Sequence, residues 1–223
     1  MVALNNLIQE PGTATSGFNA KNSSHLFGLS LLVTNTMSLV PKIDEVNYFA
    51  TRKNPDLICL TETWLTEAIS ENCINIPGYY LTCKNRSTGA HGGVCVYIYN
   101  NSIQYKTLDQ LHHPELEVLW IYSRPKRLPR GIPCIVTGTV YHPASDDDNI
   151  MIDYLSSTLM SICGIFLTGD FNRLNVNRLL AQFSMKQLVR VPTRGDNILD
   201  LIITNMPQLY DKDILPLAFW IIM

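Results

Sequence analysis

An apolar run, Ile165-Phe166-Leu167, ends in Thr168-Gly169-Asp170-Phe171-Asn172. A buried strand of that sequence would deliver a carboxylate and a carboxamide to an open sheet edge. Residues two apart on a strand share a face, so Asp170 and Asn172 could meet one ligand. An acceptor-only carboxylate beside an amide that can also donate suits a phosphate and its metal. A strand end followed by an Asx turn is the other reading of the same residues. The pattern recurs. Leu29 to Thr34 runs to Asn35, Asp56 to Leu60 runs into Thr61-Glu62-Thr63-Trp64, and Cys134 to Val140 runs into Tyr141-His142-Pro143. In Ile198 to Asn205, Asp200 lies inside an apolar run. An unpaired charge there costs on the order of several kcal/mol, so Asp200 calls for a partner.

Helices must separate these strands. Ser38 offers an N-cap, with Pro41 in the first turn and Asp44 and Glu45 soon after. Ile43, Val46, Phe49 and Ala50 recur at helical spacing, and Asn54-Pro55 stops the helix. Asp146 to Asp148 open a second helix at its dipole-favoured end. Ile152, Leu155, Leu159 and Ile162 mark its buried face, and a short link through Gly164 joins it to the strand before Asp170. Asn177 to Phe183 is a third helical stretch. Val94 to Tyr99 and Glu117 to Tyr122 complete the strands, with adjacent His112 and His113 in a solvated loop between them. The expected architecture is α/β (α+β): a two-layered β-sandwich flanked by helices. One polar, acidic rim gathers Asn35, Glu62, Tyr141, Asp170 and Asn172. A carboxylate set with no Lys or Arg beside it suits one hard cation such as Mg²⁺ and its phosphate substrate.

The 223 residues fit one larger α/β domain, and 46% apolar residues can build its core. A net charge of −2 gives no global pull towards nucleic acid. Arg124 to Arg130 is the one dense basic cluster, fit for gripping phosphates or for a solvated hairpin turn. The six cysteines form no C-x-x-C pair and read as reduced core thiols of an intracellular protein, with no zinc site. Residues 1–25 read as a flexible N-terminal extension without a signal peptide, 26–215 as the domain, and 216–223 as a divergent apolar tail. No apolar run approaches the roughly 20 residues that span a bilayer, so no membrane partner is expected.

Asn35 with Ser38-Leu39, Thr61 to Leu65, Gly92-Gly93-Val94, Tyr141-His142-Pro143, Gly169 to Asn172, Pro192-Thr193-Arg194 and Leu199 to Asn205 occur in that order. Together over residues 28–215 they resemble the endonuclease/exonuclease/phosphatase superfamily. More closely, they resemble the endonuclease domain of non-LTR (LINE-type) retrotransposons. The resemblance implies a nuclear, monomeric endonuclease that nicks DNA by metal-assisted water attack, using Mg²⁺ with Mn²⁺ as the alternative. It implies that Glu62 binds the metal with Asn35 close by, and that Asp170 orients and deprotonates the water. Asn172 and Tyr141 would hold the scissile phosphate and its developing charge. Asp200 would steady a catalytic histidine. In a full-length element a reverse transcriptase domain would accompany this one; none lies in these residues.

The departures bear on activity. The family's terminal Ser-Asp-His motif is absent, and with it the expected C-terminal strand. None of the five histidines (His25, His91, His112, His113, His142) substitutes by motif, and Met37 stands where such elements often carry Arg. Losing a preorganised charge stabiliser costs about 10²–10³ in rate, so weak or no cleavage is expected. The alternatives are a degenerate fragment that binds DNA or a partner without catalysis, and a phosphomonoesterase on the same fold.

Overall fold

Period-two alternation along the strands decides which side chains are buried together, and the computed structural model shows the result as two packed six-stranded sheets. It describes residues 29–210 apart from 87, 88, 90, 102, 127 and 129, together with the backbone of 212–215 and 219–222. The N-terminal extension expected at 1–25 lies outside the described residues, as do Arg127 and Pro129 of the basic cluster.

In the first sheet, β1 (Leu31–Asn35) lies parallel to β2 (Leu57–Thr61), which pairs antiparallel with β4 (Val94–Tyr99) and, beyond it, β3 (Tyr79–Lys84). In the second, β5 (Ile103–Thr107), β6 (Glu117–Pro125) and β7 (Ile135–Tyr141) form an antiparallel run. There β8 (Ile165–Asp170) joins parallel to β7, followed by β10 (Asp200–Thr204) and the short β9 (Lys186–Gln187). Helix α1 (Ile43–Lys53) covers the outer face of the first sheet, where Val46, Phe49 and Ala50 pack with Leu32, Ile58, Leu60 and Tyr97. Helices α2 (Asp148–Leu159) and α3 (Asn177–Gln182) cover the second, where Met151, Leu155 and Leu179 pack with Trp120, Val140, Leu167 and Ile203. Between the sheets lie Leu31, Val33, Leu57, Cys59, Ile121, Phe166 and Ile202. Full burial of each such aliphatic side chain stabilises the fold by about 1.5–3 kcal/mol. Among the described residues no helix is long and apolar enough to cross a membrane.

Four sequence expectations need correction. Ser38 does not cap α1: it sits at φ 83°, and its N–H donates to the Glu62 carbonyl. The chain passes through a 3₁₀ turn at Val40–Lys42 before α1 starts at Ile43. The C-terminal edge is not left open. The apolar tail contributes β12 (Phe219–Ile222), antiparallel to β1 and backed by β11 (Lys212–Leu215). An apolar segment of high β-propensity is what an unpaired β1 edge would recruit. Two of the six cysteines are not thiols: Cys83 and Cys95 stand directly opposite in β3 and β4, Cα atoms 4.1 Å apart, and are disulfide-bonded. Strands β3 and β5 were not anticipated either. Their faces are only partly buried, so their apolar pattern is weak.

Candidate active site

The alternation that builds the core also builds the rim. Inward-facing positions of β6, β7, β8 and β10 end in one register row, Glu117, Tyr141, Asp170 and Asp200, each paired with the next across the sheet. Facing them, β1 ends at Asn35 and β2 at Thr61, paired in register. Glu62 follows Thr61 at φ 50°. A left-handed conformation at a non-glycine residue costs on the order of 1–3 kcal/mol, and such strain gathers at functional sites. Gly169 permits the close approach. At φ 127°, a Cβ there would collide with the Val140 carbonyl and meet Thr61 Cγ2 at 2.9 Å. Only glycine lets the two sheets close immediately below Asp170.

Asn35 holds the two halves together. Its Nδ2 donates to Glu62 Oε1 and to Asp170 Oδ2, each at 2.7 Å, while its Oδ1 accepts from the Met37 N–H at 3.0 Å. Asp170 is 0% exposed. Its Oδ1 accepts the Asn172 N–H at 2.9 Å, and Oδ2 also accepts Arg194 Nη2 at 2.9 Å. Asn172 sits at φ 48° with its Nδ2 on the His142 carbonyl at 2.8 Å. The His142 N–H in turn donates to the Asp170 carbonyl. Tyr141 is buried at the same rim. Burial, then the Glu62, Asp170 and Glu117 carboxylates, push its phenol well above the usual tyrosine range, so it stays a donor.

Asn35, Glu62, Tyr141, Asp170 and Asn172 therefore converge. Asp200 lies beside them, but without a histidine partner among the described residues. Its carboxyl is pushed from 3.8 up to about 7, first by burial and next by Asp170 across the strand pair, against the pull of Thr193 and Arg194. The described histidine next to the site, His142, turns its ring away: it is 1% exposed and its Nε2 meets Asp148 Oδ1 at 2.8 Å.

Sequence reasoning missed two charged residues. Glu117 is buried opposite Tyr141, where it accepts the Gly93 N–H and faces Arg86 Nη1 at 3.4 Å. Its place at the start of a long apolar strand, four residues past His113, was its only signal. Arg194 corrects a stronger expectation, that no Lys or Arg stands beside the carboxylates. It comes from the turn before β10, closed by the Arg194–Asn197 bridge and by Thr193 Oγ1, which accepts the Leu199 and Asp200 N–H groups. Burial works against its charge, but Asp170, Asp200 and Glu62 hold its pKa above the ordinary value.

For a divalent cation the donor set fits in one way. Mg²⁺ takes one or two carboxylates and fills its shell with water and substrate phosphate. Glu62 has one carboxylate oxygen on Asn35, and among the described contacts no cationic side chain hydrogen-bonds to it, although Arg194 lies within electrostatic reach. Asp170 is already held by three donors. Asn35 turns its NH₂, not its carbonyl, to the carboxylates, so it orients Glu62 rather than sharing a metal with it. Among the described residues no group of three or more His, Cys, Asp or Glu could alone hold a metal. Glu62 would hold the cation, and the substrate would complete its shell.

Solved structures share this architecture. An AP endonuclease from Leishmania major superposes with a TM-score of 0.68 at 14% identity, covering 93% of this chain and 92% of that one. The endonuclease domain of TRAS1, a telomere-specific non-LTR retrotransposon, gives 0.63 at 11% identity over 87% and 96%. The human nocturnin catalytic domain gives 0.60 at 12% identity over 87% and 92%. At these identities the likeness concerns the fold. None of the curated proteins matches the sequence. The family profile described as Endonuclease/Exonuclease/phosphatase family matches residues 32–207, most of the chain. With that match, and a rim in which an asparagine, a glutamate and an aspartate from both sheets meet, the chain belongs to the endonuclease/exonuclease/phosphatase family, whose enzymes use divalent metals.

Proposed function

We propose that the protein is a Mg²⁺-dependent phosphodiesterase of DNA endonuclease type, nicking DNA by water attack on phosphorus. The observation that carries this is the Asn35 amide shared between Glu62 and Asp170, which joins residues of both sheets around one point. Asp170 takes the proton of the attacking water. A carboxylate offers about four acceptor positions, and three are filled by Asn35, Asn172 and Arg194. One remains, and a water held there has its proton pointed at the carboxylate. Tyr141, protonated and fixed by β7, donates to a phosphate oxygen. Asn172 fixes the loop through the His142 carbonyl, and we assign its second amide hydrogen to the phosphate. A cation on Glu62 supplies charge neutralisation of the phosphoryl oxygens.

The ordered motifs support an origin in a non-LTR retrotransposon; the structural likenesses do not choose among nuclease classes. Nuclear residence follows from the DNA substrate and is part of the same proposal, as is Mn²⁺ as a substitute metal. We expect slow cleavage, because His142, the described histidine next to the site, turns its ring to Asp148 and so gives the rim no imidazole. The test is a supercoiled-plasmid nicking assay with Mg²⁺, comparing wild type with Asp170→Ala. Slow nicking that the substitution abolishes is the expected result. No nicking, with salt-sensitive DNA binding instead, selects the non-catalytic reading. Release of phosphate from monoesters with plasmid left intact selects the phosphomonoesterase.

A further inference from the structure

The rim holds Glu62, Asp170 and Asp200, and a phosphodiester must approach all three. Among the described contacts, Arg194 is the one cationic side chain hydrogen-bonded to any of them. Its side chain is 42% exposed while that of Asp170 is 0% exposed, so the guanidinium straddles the boundary between buried carboxylate and open cleft. One Nη2 hydrogen goes to Asp170. A guanidinium carries five N–H donors in a planar fork suited to phosphate oxygens, and no other acceptor takes one of them among the described contacts. The turn that carries Arg194 is fixed. Its backbone exchanges hydrogen bonds with Asn197, and Thr193 Oγ1 binds the start of β10. The guanidinium is thus preorganised, and a positioned donor of that kind acts on developing charge without reorganisation.

We propose that Arg194 is a catalytic residue of this site. Its free N–H groups hold a non-bridging oxygen of the scissile phosphate and carry the charge that builds there. The proposal rests on the phosphodiesterase reading. In the step, the water oxygen forms a bond to phosphorus and the bond to the leaving sugar oxygen breaks. The water's proton passes to Asp170, and the leaving oxygen takes a proton from solvent. Arg194 gains and loses none. Its link to Asp170 also fits the sequence of charges: as Asp170 is protonated, less of the guanidinium's charge is offset by the carboxylate and more of it serves the phosphate, with the fork staying in place.

Two measurements on the full chain test this and separate it from the reading beneath it. The first is single-turnover plasmid nicking in Mg²⁺ by wild type, Arg194→Ala and Arg194→Lys, each checked for an unchanged melting transition. The expected fall is about 10²–10³-fold for alanine, partly restored in lysine and by added guanidinium ion. The second needs no catalysis: binding of a short oligonucleotide bearing a 5′-phosphate against the same oligonucleotide bearing a 5′-hydroxyl, in Ca²⁺. Wild type should prefer the phosphate about tenfold, and Arg194→Ala should lose the preference. A residue that merely braced the turn would leave that preference intact. Nicking by Arg194→Ala within threefold of wild type, or an unchanged preference for the 5′-phosphate, overturns the role of Arg194 and leaves the nuclease reading standing. Absence of nicking by wild type, with an Arg194-dependent phosphate preference, removes the nuclease reading and keeps Arg194 as the phosphate-binding cation. Absence of both removes both.

Discussion

A single amide carries much of the site. Asn35→Ala leaves Glu62 and Asp170 facing each other without their shared donor. We expect nicking to fall about 10²-fold, the usual loss for one positioned polar group, with the circular dichroism spectrum unchanged. Asp200 gives a prediction in pH. Its folded pKa, about 7, lies above the ordinary 3.8, so between those values the folded state holds a proton that the unfolded chain has released. Stability therefore falls as pH rises through that window, and the loss is complete above about pH 7. The shift is roughly three units, on the order of 4 kcal/mol. Asp200→Asn should flatten denaturant midpoints between pH 4 and 7 and be more stable than wild type at pH 8. Equal slopes for the two proteins would contradict the assignment. At this scale the sequence was readable where a polar residue ended an apolar run, as at Asn35, Glu62, Tyr141 and Asp170. Arg194 was legible only within the Pro192-Thr193-Arg194 motif, with no role of its own, because an arginine in a polar turn shows no partner until the turn folds back on the sheet.

The elements bring those residues together because β8 meets β2 of the facing sheet almost without side chain at Gly169. Gly169→Ala must move the Val140 carbonyl or Thr61, and it adds a Cβ at φ 127°. A loss of about 3 kcal/mol is expected from overpacking and backbone strain, seen as a melting temperature lowered by roughly 6–12 °C. The Cys83–Cys95 bond closes a loop of sequence separation 12 between β3 and β4, and loops of that size give about 3 kcal/mol in the chain-entropy view. Reduction with dithiothreitol should lower the chemical-denaturation midpoint accordingly; an unchanged midpoint would show that pairing with β4 alone orders β3. Helices and buried strands were legible from period and punctuation: Asn54, at φ 49°, caps α1 where Asn54-Pro55 marked a stop. Strands β3 and β5 were not, since half-exposed faces blur alternation. The disulfide was hidden for a related reason. Two cysteines within apolar runs do not reveal that register sets them opposite one another.

Across the molecule, the two sheets meet over Leu31, Cys59, Phe166 and Ile202, with the hydroxyls of Thr137 and Thr168 buried among them without partners from the described residues. Thr137→Val, which removes such a hydroxyl at constant shape, should raise stability by about 1 kcal/mol in urea; a drop would mean that the hydroxyl is satisfied by trapped water. The remaining feature to weigh is where the sheets are tied. At the rim, Asn35 from one sheet clasps Asp170 of the other, and there the union is polar and directional. Deeper, over Leu31, Val33, Phe166 and Ile202, it is mostly greasy contact, tolerant of sliding. The clasp therefore works as a strain gauge. A substitution that lets the layers shear, however remote from the cleft, should register as lost turnover well before the protein melts.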